Sequence, residues 1–337
     1  MIEPVDFKPG KLIGKKYKIL KRIGHGGTAL IYLANDITKD RHVAIKISRE
    51  DANVSSGLIR FRNEATLLSQ FNNNNIIKVI DYIKEKSYEA MIIEYIDGRT
   101  LKEIIKSKGI VNIDDSLYYI QQILLALSEI HKKGIFHRDL KPQNIMVSYT
   151  NQVKILDFGI AKNYDANDGV TKTGKVVGSV QYLAPEVLKG ENASRESDIY
   201  SLGMILFELL TGETAFKGDK PAVVAGRIVN EDLPNIQKIN PNIDNKLAKI
   251  INKSLSKNPS KRYNSCYQMY KDIESYVEQK HDSIELTNHK IDKEMSNETS
   301  MVKYNLYKKN QKKFFIVSSL GLLLIVGIMV ALVVVFI

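Results

Sequence analysis

The spacing of apolar residues changes once along the chain, near residues 95–99. Before this point, short apolar or alternating runs predict five strands and one inserted helix; after it, apolar residues recur every three or four positions, which predicts helices. The predicted strands are 17–23, 29–36, 41–48, 79–84 and 87–94, the inserted helix is 55–70, and the later helices include 114–133, 197–211, 221–230, 245–255 and 265–280. The pattern indicates an α+β chain with a small β-rich lobe, a larger helical lobe and an interlobe cleft, which is a favoured place for a small-molecule site.

A polar loop in the helical part carries three chemically different groups. The segment 137–144 contains the carboxylate of Asp139, the ammonium of Lys141 and the carboxamide of Asn144, and a second carboxylate, Asp157, stands before Phe158-Gly159. Phosphoryl transfer uses such groups to orient a hydroxyl, to place a cation near the transferred phosphate and to supply oxygen ligands for Mg²⁺. A polar turn between a helix and a hairpin is the alternative interpretation, but the spacing and the mixed residue types favour phosphoryl transfer.

A glycine-rich segment and a lysine in the β-rich part fit the same chemistry. Residues 24–28, with the sequence Gly-His-Gly-Gly-Thr, join two predicted strands, and glycines there let backbone N–H groups approach phosphates, although many such segments are plain hairpins. Lys46 ends an apolar strand, where a lysine often only reaches solvent. Glu64 on the inserted helix offers it a partner, and the pair would hold the ammonium near phosphates. No GKS/T sequence follows the glycines, which excludes a Walker loop.

The C-terminal part differs in composition from the rest. Residues 281–313 are polar and charged, which predicts a linker, and their last stretch, 303–313, has five lysines and no acidic residue. Residues 314–337 are apolar apart from glycine and serine, and this length suffices for a helix to span a bilayer. A buried core helix is the alternative. Because basic flanks stay in the cytoplasm, the sequence predicts a single-pass cell-membrane protein with a cytoplasmic folded part and lysines that attract anionic lipid.

The net charge of +11 leaves nucleic acid as another class of partner. We expect none, because no basic groove interleaved with aromatic residues is evident. Cys266 is the single cysteine, which excludes an intrachain disulfide and suits a reducing compartment.

The motifs together resemble the eukaryotic-like protein kinase superfamily. They are Gly24-x-Gly26, Val43-Ala44-Ile45-Lys46, Glu64, the 137–144 loop, Asp157-Phe158-Gly159, Ala184-Pro185-Glu186, Asp198 and Arg262, all in the family's order. The resemblance covers about residues 15–280. It implies a bilobal protein-kinase fold with a five-stranded β N-lobe carrying one helix (15–94), a hinge (95–99) and a mainly helical C-lobe (100–280), followed by the linker 281–313 and a transmembrane helix 314–337. The chain looks most similar to bacterial transmembrane Ser/Thr kinases related to the PASTA family, whose extracellular repeats are not visible in this sequence.

The resemblance implies ATP as phosphate donor, with Mg²⁺ or alternatively Mn²⁺ as the metal. Asp139 would take the hydroxyl proton and Lys141 would neutralise γ-phosphate charge, while Asn144 and Asp157 would hold the metal. The other ATP-binding positions would be Lys46 paired with Glu64 at the α- and β-phosphates, and Ile23, Gly24, His25, Gly26, Gly27, Thr28, Ala29, Leu30 and Ile31 over the phosphates. Glu94 and Ile96 would meet adenine through their backbone, and Ala44 and Met146 would sandwich the ring.

Acceptor choice and regulation also follow from the resemblance. Lys141, two residues after Asp139, is the Ser/Thr-kinase pattern, and Ser179 matches a position that helps to select Ser/Thr acceptors. Arg138 would bind a phosphate on Thr171 or Thr173 and so order the activation segment. Ordinary surface threonines are the alternative. Glu186 would pair with Arg262, and Asp198 would brace the catalytic loop.

The chain departs from the family pattern at Ala29, which replaces a third glycine, and at Asn73-Asn74, where relatives have His-Pro. The second departure is expected to affect the loop after the Glu64 helix and not the chemistry.

The sequence therefore predicts a membrane-anchored Ser/Thr protein kinase that autophosphorylates its activation loop. Its partners would be proteins with Ser/Thr hydroxyls, membrane lipid at the lysine-rich segment, and a second copy in trans, as a homodimer packed at Gly327 and Ala331. A pseudokinase scaffold and a kinase for small molecules or lipids are the competing hypotheses. The first is disfavoured by the presence of Lys46, Asp139 and both metal ligands, the second by the full activation segment.

Overall fold

An antiparallel sheet and one helix form the N-terminal part of the protein. The computed structural model describes residues 7–25, 29–48, 56–158, 180–280 and 282. The strands follow the order β1-β2-β3-β4-β6-β5 across the sheet. They are β1 Leu12–Ile13, β2 Tyr17–His25, β3 Ala29–Asp36, β4 Arg41–Ser48, β5 Val79–Lys84 and β6 Glu89–Glu94, with helix α1, Ser56–Leu68, inserted between β4 and β5.

One face of this sheet carries the core of the N-lobe. Alternate residues of β3 and β4, among them Tyr32 and Ile45, are fully buried, as expected where side chains of a strand point to opposite faces. Helix α1 is attached to the sheet by Arg62, whose guanidinium Nε donates to Oε2 of Glu89 on β6 at 2.8 Å. The hydroxyl of Tyr82 on β5 donates to the same carboxylate, which is 1% exposed.

The C-terminal part is mainly helical, with a small sheet at its start. The sheet has the order β7-β8-β9, with β7 Gly98–Thr100, β8 Ile145–Ser148 and β9 Val153–Ile155. The helices are α2 Leu101–Lys108, α3 Ile113–Lys132, α4 Pro185–Leu188, α5 Arg195–Thr211, α6 Pro221–Asn230, α7 Ile236–Ile239 and α8 Asn245–Ser254, followed by α9 over 266–280.

Helix α5 is the centre of the helical lobe. Every residue from Ser197 to Thr211 is buried, and a helix that is covered on all sides belongs to the interior of a large domain. Helix α3 packs against it through a continuous apolar stripe that includes Leu117, Ile120 and Leu127. This packing fixes the ends of α3 and α5, and the polar loop 137–144 follows α3 directly.

The β-rich and helical parts predicted from the sequence are confirmed, with corrections. The N-lobe sheet has six strands and not five, because Leu12–Ile13 pairs with β2. Helices α2, α4 and α7 were not predicted. Within the described ranges no helix has the length and apolar character to cross a bilayer, and the predicted span 314–337 lies outside them.

Candidate active site

The loop that follows α3 is held in place by a buried carboxylate. Asp198, near the start of α5, accepts hydrogen bonds from the backbone N–H groups of His137 at 2.8 Å and Arg138 at 3.0 Å. Nε2 of His131, at the end of α3, lies 2.8 Å from the same carboxylate. Arg138 has a φ of +65°, a conformation that costs energy for residues other than glycine. Asp198 therefore fixes a strained backbone immediately before Asp139, as expected of a brace.

Three predicted site residues of this loop are brought together. Nζ of Lys141 lies 2.7 Å from Oδ2 of Asp139. Asn144 donates from Nδ2 to the carbonyl oxygen of Asp139 at 2.9 Å and to its Oδ2 at 3.2 Å. These contacts orient the Asp139 carboxylate and leave Oδ1 of Asn144 as the atom of that side chain suited to a cation.

A second cluster joins the two lobes. Nζ of Lys46 on β4 lies 2.8 Å from Oε1 of Glu64 on α1 and 2.9 Å from Oδ1 of Asp157, which follows β9. The predicted Lys46–Glu64 pair is thus confirmed, and Asp157 is an additional partner that the sequence did not reveal. One ammonium is thus shared by two carboxylates.

The two carboxylates of this cluster differ in the direction in which their surroundings shift their pKa. Burial by itself would lower the pKa of Lys46, but the charges of Asp157 and Glu64 raise it above its ordinary value. Burial raises the pKa of Glu64 to about 7, against the opposing effect of Lys46. Partial desolvation by the surrounding protein would also raise the pKa of Asp157, yet the charge and hydrogen bond of Lys46 hold it below its ordinary value. Asp157 is therefore the carboxylate that stays ionised.

The donor set near Asp157 fits a magnesium ion. The backbone N–H of Leu156 donates to the carbonyl oxygen of Asn144 at 2.9 Å, so the residue before Asp157 lies beside Asn144. The Asp157 side chain is 47% exposed and ionised. Mg²⁺ prefers such hard oxygen ligands and usually takes only one or two from the protein, the remainder coming from phosphates and water.

Phe158 locks the position of this segment. Its ring is stacked on those of Phe71 and His137, with centroid distances of 5.8 and 5.0 Å. Since Phe158 is 5% exposed, the backbone next to Asp157 is fixed from both lobes.

The predicted ATP-binding positions fall on several strands. Ile23, Gly24 and His25 end β2, and Ala29, Leu30 and Ile31 begin β3, where Gly24 pairs with Ile31 and His25 with Leu30. Ala44 lies on β4, Met146 on β8, Glu94 ends β6 and Ile96 follows it. Gly26, Gly27 and Thr28 lie outside the described residues, as do the regulatory threonines Thr171 and Thr173 and the acceptor-selecting Ser179.

Sequence reasoning missed the side-chain role of Glu94. Its Oε1 accepts hydrogen bonds from Nζ of Lys154 at 2.6 Å and from the backbone N–H of Lys78 at 2.8 Å. Lys154 is 6% exposed, so this contact ties the predicted hinge to the small sheet of the C-lobe. The sequence signal for this contact is a lysine, Lys154, within the apolar stretch 153–156.

Asn75 is a second residue that the sequence did not indicate. Its Nδ2 donates to Oε1 of Gln122 on α3 and to the carbonyl oxygen of Val153, each at 2.9 Å. The loop after α1 therefore fastens the N-lobe to the C-lobe through Asn75, the residue next to the departure from the family pattern.

The predicted pair between Glu186 and Arg262 is also confirmed. The guanidinium donates from Nη1 to Oε1 at 2.7 Å and from Nη2 to Oε2 at 2.8 Å. Both side chains are buried.

A comparison with known protein families decides the affiliation. The family model described as the protein kinase domain matches residues 17–274. The chain belongs to this family. The resemblance drawn from the motifs is thereby confirmed, and the clusters around Lys46 and Asp139 both lie within the matched residues.

Several bacterial protein kinases are similar to this chain. The chain is 40% identical to serine/threonine-protein kinase PrkC of Bacillus subtilis over 267 residues. This match covers 79% of this chain and 41% of the relative. The chain is 38% identical to serine/threonine-protein kinase PknB of Mycobacterium leprae and 37% identical to that of Mycolicibacterium smegmatis, over 77% of this chain and 43% of each relative. The chain thus spans about two fifths of the length of these relatives.

Proposed function

We propose that the chain is a membrane-anchored Ser/Thr protein kinase, which transfers the γ-phosphoryl group of ATP to Ser or Thr hydroxyls of proteins. The observation that carries this proposal is the placement of Lys46 between Glu64 and Asp157, at 2.8 and 2.9 Å. The names of the relatives, all Ser/Thr protein kinases, support the same acceptor class.

The residues of the chain divide the work of the transfer. Lys46 binds α- and β-phosphate oxygens, and Glu64 keeps its ammonium in position. Asp139 orients the acceptor hydroxyl and takes its proton while the hydroxyl oxygen bonds to the γ-phosphorus and the bond to the β-phosphate breaks, releasing ADP. Lys141, already 2.7 Å from Asp139, neutralises charge on the transferred group. Positioning and electrostatic stabilisation supply most of the acceleration in such reactions.

Asn144 and Asp157 would hold Mg²⁺, or Mn²⁺ in its place. When bound, the ion neutralises the charge of the phosphate oxygens. The ionised state of Asp157 and the amide of Asn144, whose Nδ2 donates to Asp139 while its Oδ1 is an oxygen acceptor, support this assignment.

The activity is tested with two variants and two matched controls. Asp139→Asn and Lys46→Met are expected to lose phosphate incorporation from labelled ATP while keeping the circular dichroism and melting temperature of a folded domain. Asp115→Asn and Lys108→Met change the same residue types in one exposed ion pair outside the cluster, and should keep activity. Incorporation retained in both Asp139→Asn and Lys46→Met would refute the proposal.

Anchoring and autophosphorylation are part of the same proposal. Residues 314–337 form the single span, the lysines of 303–313 face anionic lipid on the cytoplasmic side, and one copy phosphorylates Thr171 or Thr173 of another. The apolar length of the segment and its basic flank support the first part. Arg138, in the loop beside Asp139, supports the second, since a phosphothreonine adds nearly two negative charges that an arginine binds.

Phosphopeptide mass spectrometry after incubation with MgATP tests the sites. Phosphate on Thr171 or Thr173 is expected in the wild type and absent from Asp139→Asn. Mixing an excess of the active chain with Asp139→Asn should restore phosphate to the inactive copy if transfer occurs in trans. If the wild type carried phosphate at other residues but at neither threonine, the proposed autophosphorylation of the activation loop would be contradicted and the proposed kinase activity would stand.

A further inference from the structure

A strongly basic segment lies at the edge of the N-lobe sheet, outside the active site. Residues 7–25 contain seven lysine or arginine residues and no aspartate or glutamate. Most of their side chains are exposed on β1, β2 and the turns beside them. We use the name β1–β2 edge for the exposed residues Lys8, Lys11, Leu12, Lys15, Lys18, Leu20 and Lys21.

The charge of this edge is not neutralised by the protein. Lys16 is paired with Asp81 at 2.7 Å. The five lysines of the edge have no carboxylate partner among the residues that the structure describes. Unpaired like charges close together repel, so this concentration of lysines destabilises the isolated domain slightly and favours an anionic partner.

Apolar side chains stand among these lysines. In the register of β1 and β2, Leu12 lies directly opposite Lys18, and Leu20 follows two residues later on the same strand. Leu12 is 45% exposed and Leu20 is 36% exposed. Lysines on an edge strand commonly prevent pairing with another chain, but exposed leucines work against that purpose. The combination of basic and apolar groups is typical of surfaces that meet the headgroup region of a bilayer.

The length of the β1–β2 edge limits the kinds of partner that can cover it. From Lys15 to Lys21, β2 and its turn cover about 20 Å at roughly 3.3 Å per residue, which is too long for one small anion. A second copy of the chain would bring the same unpaired lysines against each other. A bilayer surface offers many phosphates in a plane and an apolar layer just beneath them.

We propose that the β1–β2 edge docks on the anionic phospholipid headgroups of the bilayer that anchors the chain. The inference rests on the anchoring included in the proposed function, which keeps the domain near that surface. Lysines would contact lipid phosphates, with Leu12 and Leu20 entering the headgroup layer. Because β2 continues into Gly24, docking would also orient the ATP-binding strand relative to the membrane.

The test uses the full chain in nanodiscs of phosphatidylcholine, with or without phosphatidylglycerol. A nitroxide on Leu20→Cys reports contact with lipid through relaxation by oxygen against a water-soluble nickel complex. Cys266 is buried, so labelling is selective for the new cysteine. Leu12→Cys is a second probe position, should Leu20→Cys fail to fold. A third probe, on Ser318→Cys, reports insertion of the apolar segment by itself.

We expect lipid contact at position 20 only when phosphatidylglycerol is present. Lys18→Gln should reduce the equilibrium constant for contact about fivefold, from the usual attraction of one lysine to an anionic surface. Replacing all five lysines of the edge by glutamine should abolish contact. A matched variant with five exposed C-lobe lysines replaced by glutamine should leave it unchanged; these are Lys106, Lys189, Lys220, Lys238 and Lys249.

The probes separate the two proposals. A water-exposed probe at position 20 in both lipids, with the position 318 probe inserted, overturns docking and keeps anchoring. A water-exposed probe at position 318 overturns anchoring, whereas lipid contact at position 20 would still support docking. The probe at position 20 could also be shielded from the nickel complex to the same degree with and without phosphatidylglycerol, and more strongly at higher protein concentration. That result would indicate contact with a second copy of the chain and overturn docking on the bilayer.

Discussion

Removing the guanidinium of Arg262 should destabilise the whole C-lobe. Besides its two hydrogen bonds to Glu186, Arg262 donates to the carbonyl oxygens of Ser256 at 2.7 Å and Glu196 at 2.9 Å. Its guanidinium also lies 4.8 Å from the ring centroid of Tyr200. Arg262→Ala leaves a buried carboxylate without its charge partner and several carbonyl oxygens without donors.

The magnitude follows from this burial. Arg262 is 3% and Glu186 6% exposed, and breaking a buried pair by removing one partner typically costs about 3–5 kcal/mol. At roughly 2–4 °C per kcal/mol for a domain of this size, the melting temperature should fall by about 6–20 °C. Arg227→Ala is the control, because Arg227 is 45% exposed and pairs through Nε at 3.5 Å with Glu231, which is 56% exposed. A pair of that kind contributes at most about 1 kcal/mol.

The contribution of the Glu186–Arg262 pair to stability should also depend on pH. Burial would raise the pKa of Glu186, but the hydrogen bonds and charge of Arg262 hold it below its ordinary value of 4.5. The pair therefore stabilises the protein above pH 4.5 and this contribution is lost as the pH falls through the lower folded-state value. Thermal unfolding followed by circular dichroism should show the full difference in melting temperature between wild type and Arg262→Ala at pH 7. This difference should be smaller below pH 4.5.

A double-mutant cycle with Glu186→Gln checks the cause. Because the amide is neutral, adding it to Arg262→Ala should cost less than it does in the wild type. Additive effects, or a loss below about 1 kcal/mol for Arg262→Ala, would refute the reasoning.

Three further predictions concern single positions. Since the pKa of Glu64 is raised to about 7, its contribution to stability is present below its ordinary pKa and lost as pH rises through 7; Glu64→Gln should therefore gain melting temperature relative to nucleotide-free wild type between pH 5.5 and 8, and a constant difference would contradict this. Gly98→Ala should lower the free energy of unfolding by about 1–3 kcal/mol in denaturant titration, because the new Cβ would lie 2.2 Å from the carbonyl oxygen of Val147; an unchanged midpoint would show that the strands separate easily. Tyr182→Phe should cost about 1–3 kcal/mol in the same titration, because its hydroxyl donates to the buried carboxylate of Glu208 at 2.6 Å; a neutral variant would mean that Glu208 finds another donor.

The sequence was most informative where motifs and periodicity agreed. Glu64 was placed on a helix facing Lys46, and the two lie 2.8 Å apart. The pair of Glu186 and Arg262 followed from the family resemblance. In each case a strong local pattern identifies the helix or strand that carries the residue. The partner can then be predicted, because few other charged residues lie in the apolar surroundings of the pair.

Contacts that depend on tertiary packing could not be read from the sequence. Asp157 reaches Lys46 across 111 positions, and Asn75 reaches Val153 across 78, so each needs the lobes to be assembled first. Elements of two to four residues, such as Leu12–Ile13 and Ile236–Ile239, are too short to show a period. Their formation depends on a neighbour that is already in place.

Helix α1 is held to the sheet at two points that lie almost on opposite sides of its axis. Arg62 and Glu64 are two positions apart, which is about 200° around a helix, and they pair with Glu89 on β6 and Lys46 on β4. A rotation about the helix axis therefore lengthens at least one of these pairs, whichever its direction. A partner that controlled this kinase by turning α1 would have to supply a new cation for the buried Glu89 whenever the turn broke its pair with Arg62, whereas Lys46 would keep Asp157 as its anion.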